Sequence, residues 1–428
     1  MKFEVDNANY AATIVKIGTT IGLDGCDNVV GFPIFGYQAI VGKDTKIGEL
    51  MVLFTAETQL SEEFCKVNNL FRKKELNSNP SIAGYIEENR RIKALKFRGH
   101  KSSALAMPLS SLSYLGVNMN DLKEGVSFQK IDGVEICKKY NLRQRSEGMR
   151  GNNVRGKNKK FERVEPKLFP EHLDSDNFFK NAHKYKSSDH VVVTQKLHGT
   201  SGRFGHILVK RKKNIIEKSL SFFGIKIQET EYDYIAGSRR VIKDPNSDVE
   251  TKHYFDSDIW TQKLNEIKMS IPKNTIIYGE IIGWAGDNSL IQKNYSYQMP
   301  QGSSELYIYR MVNVNQDGYC VDYSWQQIKE FCKSTGLKNC PELWNGRFED
   351  FNAQDFLDKK YFKEMQKDHF AYNEHPIPLD DNSPCDEGVC VRVEQLQPYI
   401  TKAKSPLFLE HETKILDSGV EDIESEQS

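Results

Sequence analysis

A lysine that precedes a glycine turn could act as a covalent nucleophile toward a nucleotide phosphate. Lys196 occupies this position, because the stretch 196–201 reads Lys-Leu-His-Gly-Thr-Ser. The apolar run 191–194 predicts a buried strand, and Gly199 supplies the tight turn that places the lysine at the mouth of a pocket. Average composition produces such a match in roughly one chain of this length in fifty. The motif therefore needs support from the rest of the chain.

Two carboxylates follow the lysine next to apolar runs. Glu280 interrupts the run 276–284, and Glu387 precedes the run 388–391. Carboxylates are seldom buried without a partner, and ribose hydroxyls are good hydrogen-bond donors to them. Each glutamate is therefore either paired in the core or part of a site.

Two further predicted strands place similar side chains on one face. Tyr307 and Tyr309 alternate along the run 306–312, where tyrosines usually pack in a core but could stack on a base. Lys402 and Lys404 alternate along the run 399–404, so both ammonium groups can face the same phosphate. Either pair has an ordinary structural explanation when it is taken alone.

The order of these elements resembles motifs I, III, IIIa, IV and V of covalent nucleotidyltransferases, which include polynucleotide ligases and mRNA capping enzymes. His198 stands where aspartate is more usual in motif I, and this variant of the motif resembles the RNA ligase 2-like branch. An extra domain before motif I, with little chain after motif V, resembles the RNA ligase 5 family. That resemblance implies an α+β fold. Its C-terminal nucleotidyltransferase domain would be ATP-grasp-like, with antiparallel sheets and flanking helices, and a β-rich OB-like domain would precede it.

The resemblance also implies an ATP-dependent RNA ligase that seals 3′-OH and 5′-phosphate ends of RNA, at nicks in duplexes. Lys196 would form lysyl-AMP, and it must attack as a neutral amine, a form that nearby cations favour. Lys402 and Lys404 would be the further catalytic cations. Glu387 would hold Mg²⁺ or Mn²⁺, since hard cations prefer oxygen ligands. The residues implied in ATP binding are Gln195, His198, Gly199, Arg203, Arg239, Glu280 and Tyr309.

Some of these roles have alternatives. Tyr307 could replace Tyr309 at the base, and either Arg203 or Arg239 could hold phosphate or ribose. His198 is interpreted as a phosphate contact and not a zinc ligand, because nothing near it in the sequence completes a zinc site.

Length and local composition predict three segments. The 428 residues have a net charge of zero, so the total charge does not indicate a partner. We expect an OB-like nucleic-acid-binding domain over 1–136, with a charged helical insertion at 61–93, and a nucleotidyltransferase domain over 164–428. The basic segment 137–163 is either a solvated linker or an arm that becomes ordered on nucleic acid.

Cysteine usage and hydropathy suggest the cellular context. The cysteines lack the spacing of a zinc site, and no basic-apolar leader or membrane-spanning run is present in the sequence. These features predict a cytoplasmic protein with reduced thiols and without a membrane partner, and they leave a viral or phage origin open. We expect a monomer.

Three other functions were compared with RNA ligation. A GTP-using capping guanylyltransferase and a DNA ligase both usually carry an OB domain after the nucleotidyltransferase domain, whereas little chain follows Lys404. A non-catalytic nucleic-acid-binding protein would have damaged motifs, but the expected nucleophile, acids and lysines are all present. RNA ligation is therefore the preferred prediction.

Overall fold

The computed structural model describes residues 1–142, 163–172, 174–211, 213–214, 216–217, 222–223, 226–243, 255, 257–357, 360–367 and 372–419. The chain forms two compact units. The first unit comprises Met1–Arg143, Asp176–Lys184 and Ala403–Glu421, and the second comprises Gln144–Ser175, Tyr185–Lys402 and Asp422–Ser428. Most of the basic segment expected at 137–163 lies outside the described residues. In the described ranges, no helix has the length and apolar character needed to cross a membrane.

The strands are numbered in chain order. The first unit contains β1 (Phe3–Glu4), β2 (Ala12–Lys16), β3 (Ile21–Gly22), β4 (Val29–Ile34), β5 (Tyr37–Gly42), β6 (Leu50–Thr55), β7 (Thr58–Leu60), β8 (Leu95–Phe97), β9 (His100–Ser102), β10 (Ala104–Pro108), β11 (Ser127–Phe128), β12 (Lys130–Ile131), β13 (Val134–Glu135), β14 (Cys137–Lys139) and β15 (Asp176–Asn177). The later strands are β16 (His190–Lys196), β17 (Thr200–Lys210), β18 (Thr230–Gly237), β19 (Ile242–Lys243), β20 (Thr275–Gly283), β21 (Ser304–Val314), β22 (Cys320–Asp322), β23 (Lys338–Asn339), β24 (Glu342–Arg347), β25 (Gly388–Val393) and β26 (Tyr399–Lys404).

The α-helices are short and are also numbered in chain order. They are α1 (Glu62–Val67), α2 (Phe178–Asn181), α3 (Ile259–Ile267), α4 (Trp325–Thr335), α5 (Phe362–Lys367) and α6 (Pro406–Asp417). Side chains cap several of them: Ser324 forms a capping box with Gln327 at the start of α4, and Ser405 caps α6 with a proline in its first turn.

A seven-stranded sheet in the order β11-β2-β6-β10-β5-β4-β3 forms the centre of the first unit. Strand β6 pairs antiparallel with both β2 and β10. Its side chains alternate between two apolar clusters: Val52 and Phe54 pack into one, and Met51 and Leu53 into the other. Apolar packing on both faces buries this strand.

The segment 61–93 differs from the expected helical insertion. Only α1 is α-helical, a 3₁₀ turn covers Lys74–Leu76, and the remainder is loop and turn. The Asn77 side chain accepts a hydrogen bond from Phe71 N–H and donates to the carbonyls of Phe71 and Ile82. Such side-chain contacts with the backbone compete with helix formation.

Two sheets form the framework of the second unit. The longer sheet has the order β19-β18-β17-β20-β21-β22, with β23 parallel to β21, and the other contains β26-β25-β16-β24. All nine residues of β20 are buried, because apolar side chains cover both of its faces. The mainly antiparallel sheets with short flanking helices confirm the predicted α+β class.

Candidate active site

Lys196 is the last residue of β16 and lies beside the first residue of β25. The strands are antiparallel, and Lys196 pairs with Gly388. This register brings Glu387 next to the lysine, with 2.8 Å between Lys196 Nζ and Glu387 Oε1. The Lys196 side chain is 13% exposed and that of Glu387 is 0% exposed. Strand pairing therefore brings the predicted nucleophile and the predicted metal ligand into a salt bridge that is almost completely buried from solvent.

The turn after Lys196 packs tightly on β20. Gly199 N–H donates to Glu280 Oε1 at 3.0 Å, and the Ser201 hydroxyl donates to Glu280 Oε2 at 3.3 Å. A Cβ atom on Gly199 would lie 2.2 Å from the carbonyl oxygen of Ile281, so only glycine fits without movement of the backbone. The buried Glu280 carboxylate thus holds the turn that follows the lysine.

His198 is buried between Glu387 and an aromatic ring. Its Nδ1 lies 3.7 Å from Glu387 Oε2, and its ring meets that of Tyr295 edge-on at 4.7 Å. The backbone N–H of His198 donates to the Tyr297 hydroxyl oxygen at 2.7 Å. Contacts with Glu387, Tyr295 and Tyr297 therefore fix both the side chain and the backbone of this residue.

Residue patterns in the sequence do not indicate the loop 291–299, which supports the turn at three points. In addition to the contacts of Tyr295 and Tyr297 with His198, Gln292 Nε2 donates to the Gly199 carbonyl at 2.8 Å. The loop has positive φ angles at Asn294 (69°), Tyr297 (54°) and Gln298 (55°). Because such a backbone has no helical or strand periodicity, residue spacing alone does not predict it.

We expect Tyr297→Phe to slow formation of a covalent nucleotide adduct and to lower stability. The substitution leaves the buried His198 N–H without its acceptor, which costs roughly 1–3 kcal/mol. Chemical denaturation would measure the stability, and labelled nucleotide would measure the adduct. Tyr232→Phe is the matched control. The Tyr232 hydroxyl also donates a hydrogen bond, of 2.9 Å to Asn274 Oδ1, but this bond is not made to the turn after Lys196. Equal adduct rates for both variants would contradict the supporting role of Tyr297.

Both the oxygen and the nitrogen of the Gln195 side-chain amide form hydrogen bonds within the protein. Its Oε1 accepts from Ile377 N–H at 2.7 Å, and its Nε2 donates to Asp386 Oδ1 and the Ile377 carbonyl, each at 3.1 Å. Asp386 Oδ2 also accepts from Phe362 N–H at 2.8 Å. Burial raises the pKa of Asp386 to about 7, and these donors oppose the rise. This arrangement holds the residue before Glu387 and the residue before Lys196 together.

The two lysines of β26 have different surroundings. Lys402 and Lys196 both lower the pKa of the Cys390 thiol, although burial still raises it to about 11. Lys402 therefore lies in the electrostatic neighbourhood of the nucleophile. Lys404 belongs to the first unit, where its Nζ donates to Glu412 Oε1 at 2.6 Å and lies 5.1 Å from the centre of the Phe408 ring.

The two candidate tyrosines of β21 differ in their neighbours. Tyr307 pairs with Glu280 in the register of β20 and β21, and its ring lies 5.8 Å from Lys338 Nζ. Tyr309 has His172 against its ring at 5.1 Å. Burial raises the pKa of the Tyr309 hydroxyl well above its usual value, and the nearby Glu280 carboxylate raises it further. The Tyr309 hydroxyl therefore stays protonated beside Glu280.

The two candidate arginines are also distinct. Arg203 is buried, stacks on Phe169 with 4.7 Å from its guanidinium carbon to the ring centre, and donates to the Phe169 carbonyl at 2.9 Å. Arg239 forms an ion pair with the half-exposed Asp174. Arg203 thus supports the fold of β17, whereas Arg239 is paired with an acidic side chain near the surface.

Glu387 is the predicted cation ligand, and its carboxylate lies beside Lys196. In the described part of the chain, no group of three or more His, Cys, Asp or Glu side chains is arranged to hold a metal ion. A single carboxylate still suits Mg²⁺ or Mn²⁺ bound mainly through substrate phosphates and water.

A comparison with protein families identifies the segment that contains these site residues. A family model described as RNA ligase matches residues 189–405, which is more than half of the chain and includes Lys196, Glu280 and Glu387. The chain belongs to the RNA ligase family. This result confirms the predicted enzyme class. No curated protein sequence matches the chain.

Solved RNA ligase structures share the fold. A lysine mutant of Naegleria gruberi RNA ligase with ATP and Mn is 15% identical, with a TM-score of 0.57 over 95% of this chain and 99% of that chain. The same ligase with PPi is 15% identical, with a TM-score of 0.58 over 94% and 98% of the two chains. Another lysine mutant with AMP and Mn is 16% identical, with a TM-score of 0.57 and the same coverage as the PPi structure. This similarity extends over both units and confirms the predicted nucleotidyltransferase fold.

Proposed function

We propose that this RNA ligase uses ATP to join a 3′-OH to a 5′-phosphate at a nick in an RNA duplex. The observation that carries the proposal is the position of Lys196 at the end of β16, between Glu387 and the turn bound by Glu280. A lysine nucleophile, a carboxylate for a cation and a carboxylate for ribose are then within one buried site.

The proposed reaction consists of three phosphoryl transfers. Lys196 Nζ, as a neutral amine, attacks the α-phosphorus of ATP; the N–P bond forms, the nitrogen loses a proton and pyrophosphate leaves. An oxygen of the RNA 5′-phosphate next attacks the same phosphorus; the N–P bond breaks, the nitrogen regains a proton and leaves as the amine, and an RNA-adenylate is formed. The 3′-OH then attacks the 5′-phosphorus, loses its proton and expels AMP. The protein's contribution is positioning and charge stabilisation.

The residues have separate roles in this reaction. Glu280 would accept hydrogen bonds from the ribose hydroxyls in exchange for that of Ser201, while Gly199 N–H keeps the carboxylate in place.

Tyr309, with Tyr307 as the alternative, would lie against the adenine. Arg239 suits a phosphate or ribose contact better than Arg203, because Arg203 already binds backbone carbonyls. His198 would contact phosphate, and Gln195 would position Lys196 from its bonds to Asp386 and Ile377.

Glu387 is the residue that would hold Mg²⁺ or Mn²⁺. When bound, the cation would neutralise charge on the ATP phosphates. The carboxylate cannot bind both the cation and the Lys196 ammonium with full strength. Glu387 would therefore loosen its hold on Lys196 when it engages the cation, which favours the neutral amine needed for attack.

The domain arrangement and cellular context are part of the proposal. We assign 1–136 to an OB-like nucleic-acid-binding domain, 137–163 to a basic linker and 164–428 to the nucleotidyltransferase domain. Two segments of this last range, Asp176–Lys184 and Ala403–Glu421, belong to the first compact unit. The seven-stranded sheet of the first unit supports the β-rich assignment. A monomer acting on RNA in the cytoplasm completes the proposal.

Two assays test the function directly. Incubation with α-labelled ATP or GTP, followed by a denaturing gel, should show a labelled protein with ATP alone; labelling with GTP alone would favour a capping enzyme. Sealing should then be measured on nicked duplexes with RNA or DNA on each side of the break. We expect the nicked RNA duplex to be sealed fastest, and exclusive sealing of DNA would overturn the proposal.

Lys404→Ala should slow adduct formation by about 100-fold, the scale reported for loss of one charge-stabilising group at a reacting centre. Lys404 shares a strand face with Lys402, so both cations could serve the ATP phosphates. Lys414→Ala in α6 is the matched control, because Lys414 is an exposed lysine of the same segment. A wild-type rate for Lys404→Ala in the labelled-ATP assay would remove this lysine from the catalytic group.

A further inference from the structure

The first unit carries a two-stranded hairpin that lies outside its main sheet. Strands β8 and β9 pair antiparallel, with Arg98 and Gly99 at the tip. The side chains of Lys96, Phe97 and Lys101 are exposed. Phe97 and the nearby Leu95 are large apolar groups that are 39% and 45% exposed. The hairpin therefore presents charge and apolar surface together.

Hydrogen bonds fix the orientation of this hairpin. Arg98 Nη1 donates to the Gly25 carbonyl at 3.1 Å, and His100 Nε2 lies 2.9 Å from the Asp24 carbonyl. At the base, Gln38 Nε2 donates to the Lys101 carbonyl at 2.7 Å. Contacts at both ends give the hairpin a fixed direction, so it can present its side chains with little loss of conformational entropy on binding.

The register separates the hairpin into two faces. Lys96 lies directly opposite Lys101, whereas Phe97 lies opposite His100 and Leu95 opposite Ser102. Side chains alternate along a strand, so the two lysines share one face and the apolar residues share the other. Like charges directly opposite one another on a strand pair are destabilising. The two lysines therefore lower the stability of the hairpin, and their presence needs an explanation other than folding.

The sequence around the hairpin increases the positive charge. No aspartate or glutamate occurs from Asn89 to Asn120, and Lys96, Arg98 and Lys101 of this stretch lie on the hairpin. Lys93, just before the hairpin, is paired with Glu87 and Asp417 and adds little to this charge. Lysines on an exposed strand can also serve to prevent association through strand edges. That role does not account for an exposed Phe97 and Leu95 on the opposite face, which would favour association.

We propose that the β8–β9 hairpin binds the sugar–phosphate backbone of the RNA substrate, with Lys96 and Lys101 contacting phosphates. This inference rests on the proposed function, since it assumes that RNA is the substrate. Two ammonium groups on one face match the negative charge of adjacent phosphates, and phosphate binding removes the repulsion between them. Contacts of this kind are independent of base sequence.

The test compares RNA binding at several salt concentrations. The full-length Lys96→Ala/Lys101→Ala variant and the wild type are titrated against a fluorescein-labelled nicked RNA duplex, and binding is followed by anisotropy. Loss of two phosphate contacts should reduce the slope of log K against log salt by about 1.8 and weaken binding on the order of 10-fold at low salt. The change should be the same for duplexes of unrelated sequence.

Two variants control for the change in charge and for folding. Lys66→Ala/Lys123→Ala removes two exposed lysines of the same unit that have acidic neighbours in the sequence, and it should bind like the wild type. Lys96→Arg/Lys101→Arg should retain binding because it keeps both charges. The thermal midpoint of the alanine variant should be unchanged or higher, because the repulsion between the lysines is removed.

The outcome is separable from that of the proposed function. Adduct formation with labelled ATP needs no RNA and should be equal in the alanine variant and the wild type. A salt slope equal to that of the Lys66→Ala/Lys123→Ala control would overturn the hairpin proposal while adduct formation stays intact. Failure of the wild type to form any adduct would overturn the proposed function, whatever the binding assay shows.

Discussion

Lys196→Arg should form no detectable AMP adduct, with a rate below about one-thousandth of the wild type. Arginine keeps the positive charge and can still pair with Glu387, but its guanidinium does not deprotonate in proteins and therefore supplies no nucleophile. Lys196→Ala should be equally inactive. The measurement is a denaturing gel after incubation with α-labelled ATP.

The comparison of the two variants separates chemistry from folding. Lys196→Ala removes the ion-pair partner of a fully buried carboxylate, which is destabilising, whereas Lys196→Arg retains a cation there. Lys263→Met is a further control, because Lys263 is a buried lysine of α3 that donates to Glu266 at 2.7 Å. An undiminished adduct in Lys196→Arg would place the nucleophile elsewhere.

Glu387→Gln should slow adduct formation by at least about 100-fold and raise the Mg²⁺ or Mn²⁺ concentration needed for half-maximal activity. The amide is similar in size to the carboxylate, but it is neutral and a much weaker ligand for a hard cation. Adduct formation is measured at several concentrations of cation and ATP, so that a loss of cation binding is distinguished from a loss of ATP binding.

The control for this variant is another buried glutamate. Glu342 in β24 accepts from Trp325 Nε1 at 2.8 Å and pairs with Lys329 at 2.9 Å, so Glu342→Gln also removes a buried charge that has a lysine partner. We expect Glu342→Gln to lower the unfolding free energy and to leave the cation requirement unchanged. The same cation requirement in Glu387→Gln as in the wild type would mean that Glu387 acts on Lys196 alone.

Sequence spacing indicated the strands that carry the candidate site residues. Lys196 follows a buried apolar run, Glu280 interrupts one and Glu387 precedes one. Strand pairing brings the three together in the second unit. The pattern could not predict which strands pair, because strand order depends on contacts between residues that are distant in sequence.

The loop that supports the turn was outside the reach of such reasoning. Tyr295 and Tyr297 contact His198 from a segment without periodicity, and their position depends on a backbone with positive φ angles. The segment 61–93 was expected to be helical from its charged residues, yet the side chain of Asn77 binds the backbone and stabilises a loop. In both segments, local hydrogen bonds determine a conformation that has no simple repeat in the sequence.

The ion pair between Lys196 and Glu387 also bears on how readily this lysine reacts with small electrophiles. A protonated amine has no lone pair, so it does not condense with aldehydes or react with acylating agents. Lys96 and Lys101 are exposed to such reagents, whereas Lys196 is nearly buried and paired with a carboxylate. We therefore expect small aldehydes to modify Lys196 more slowly than Lys96 and Lys101.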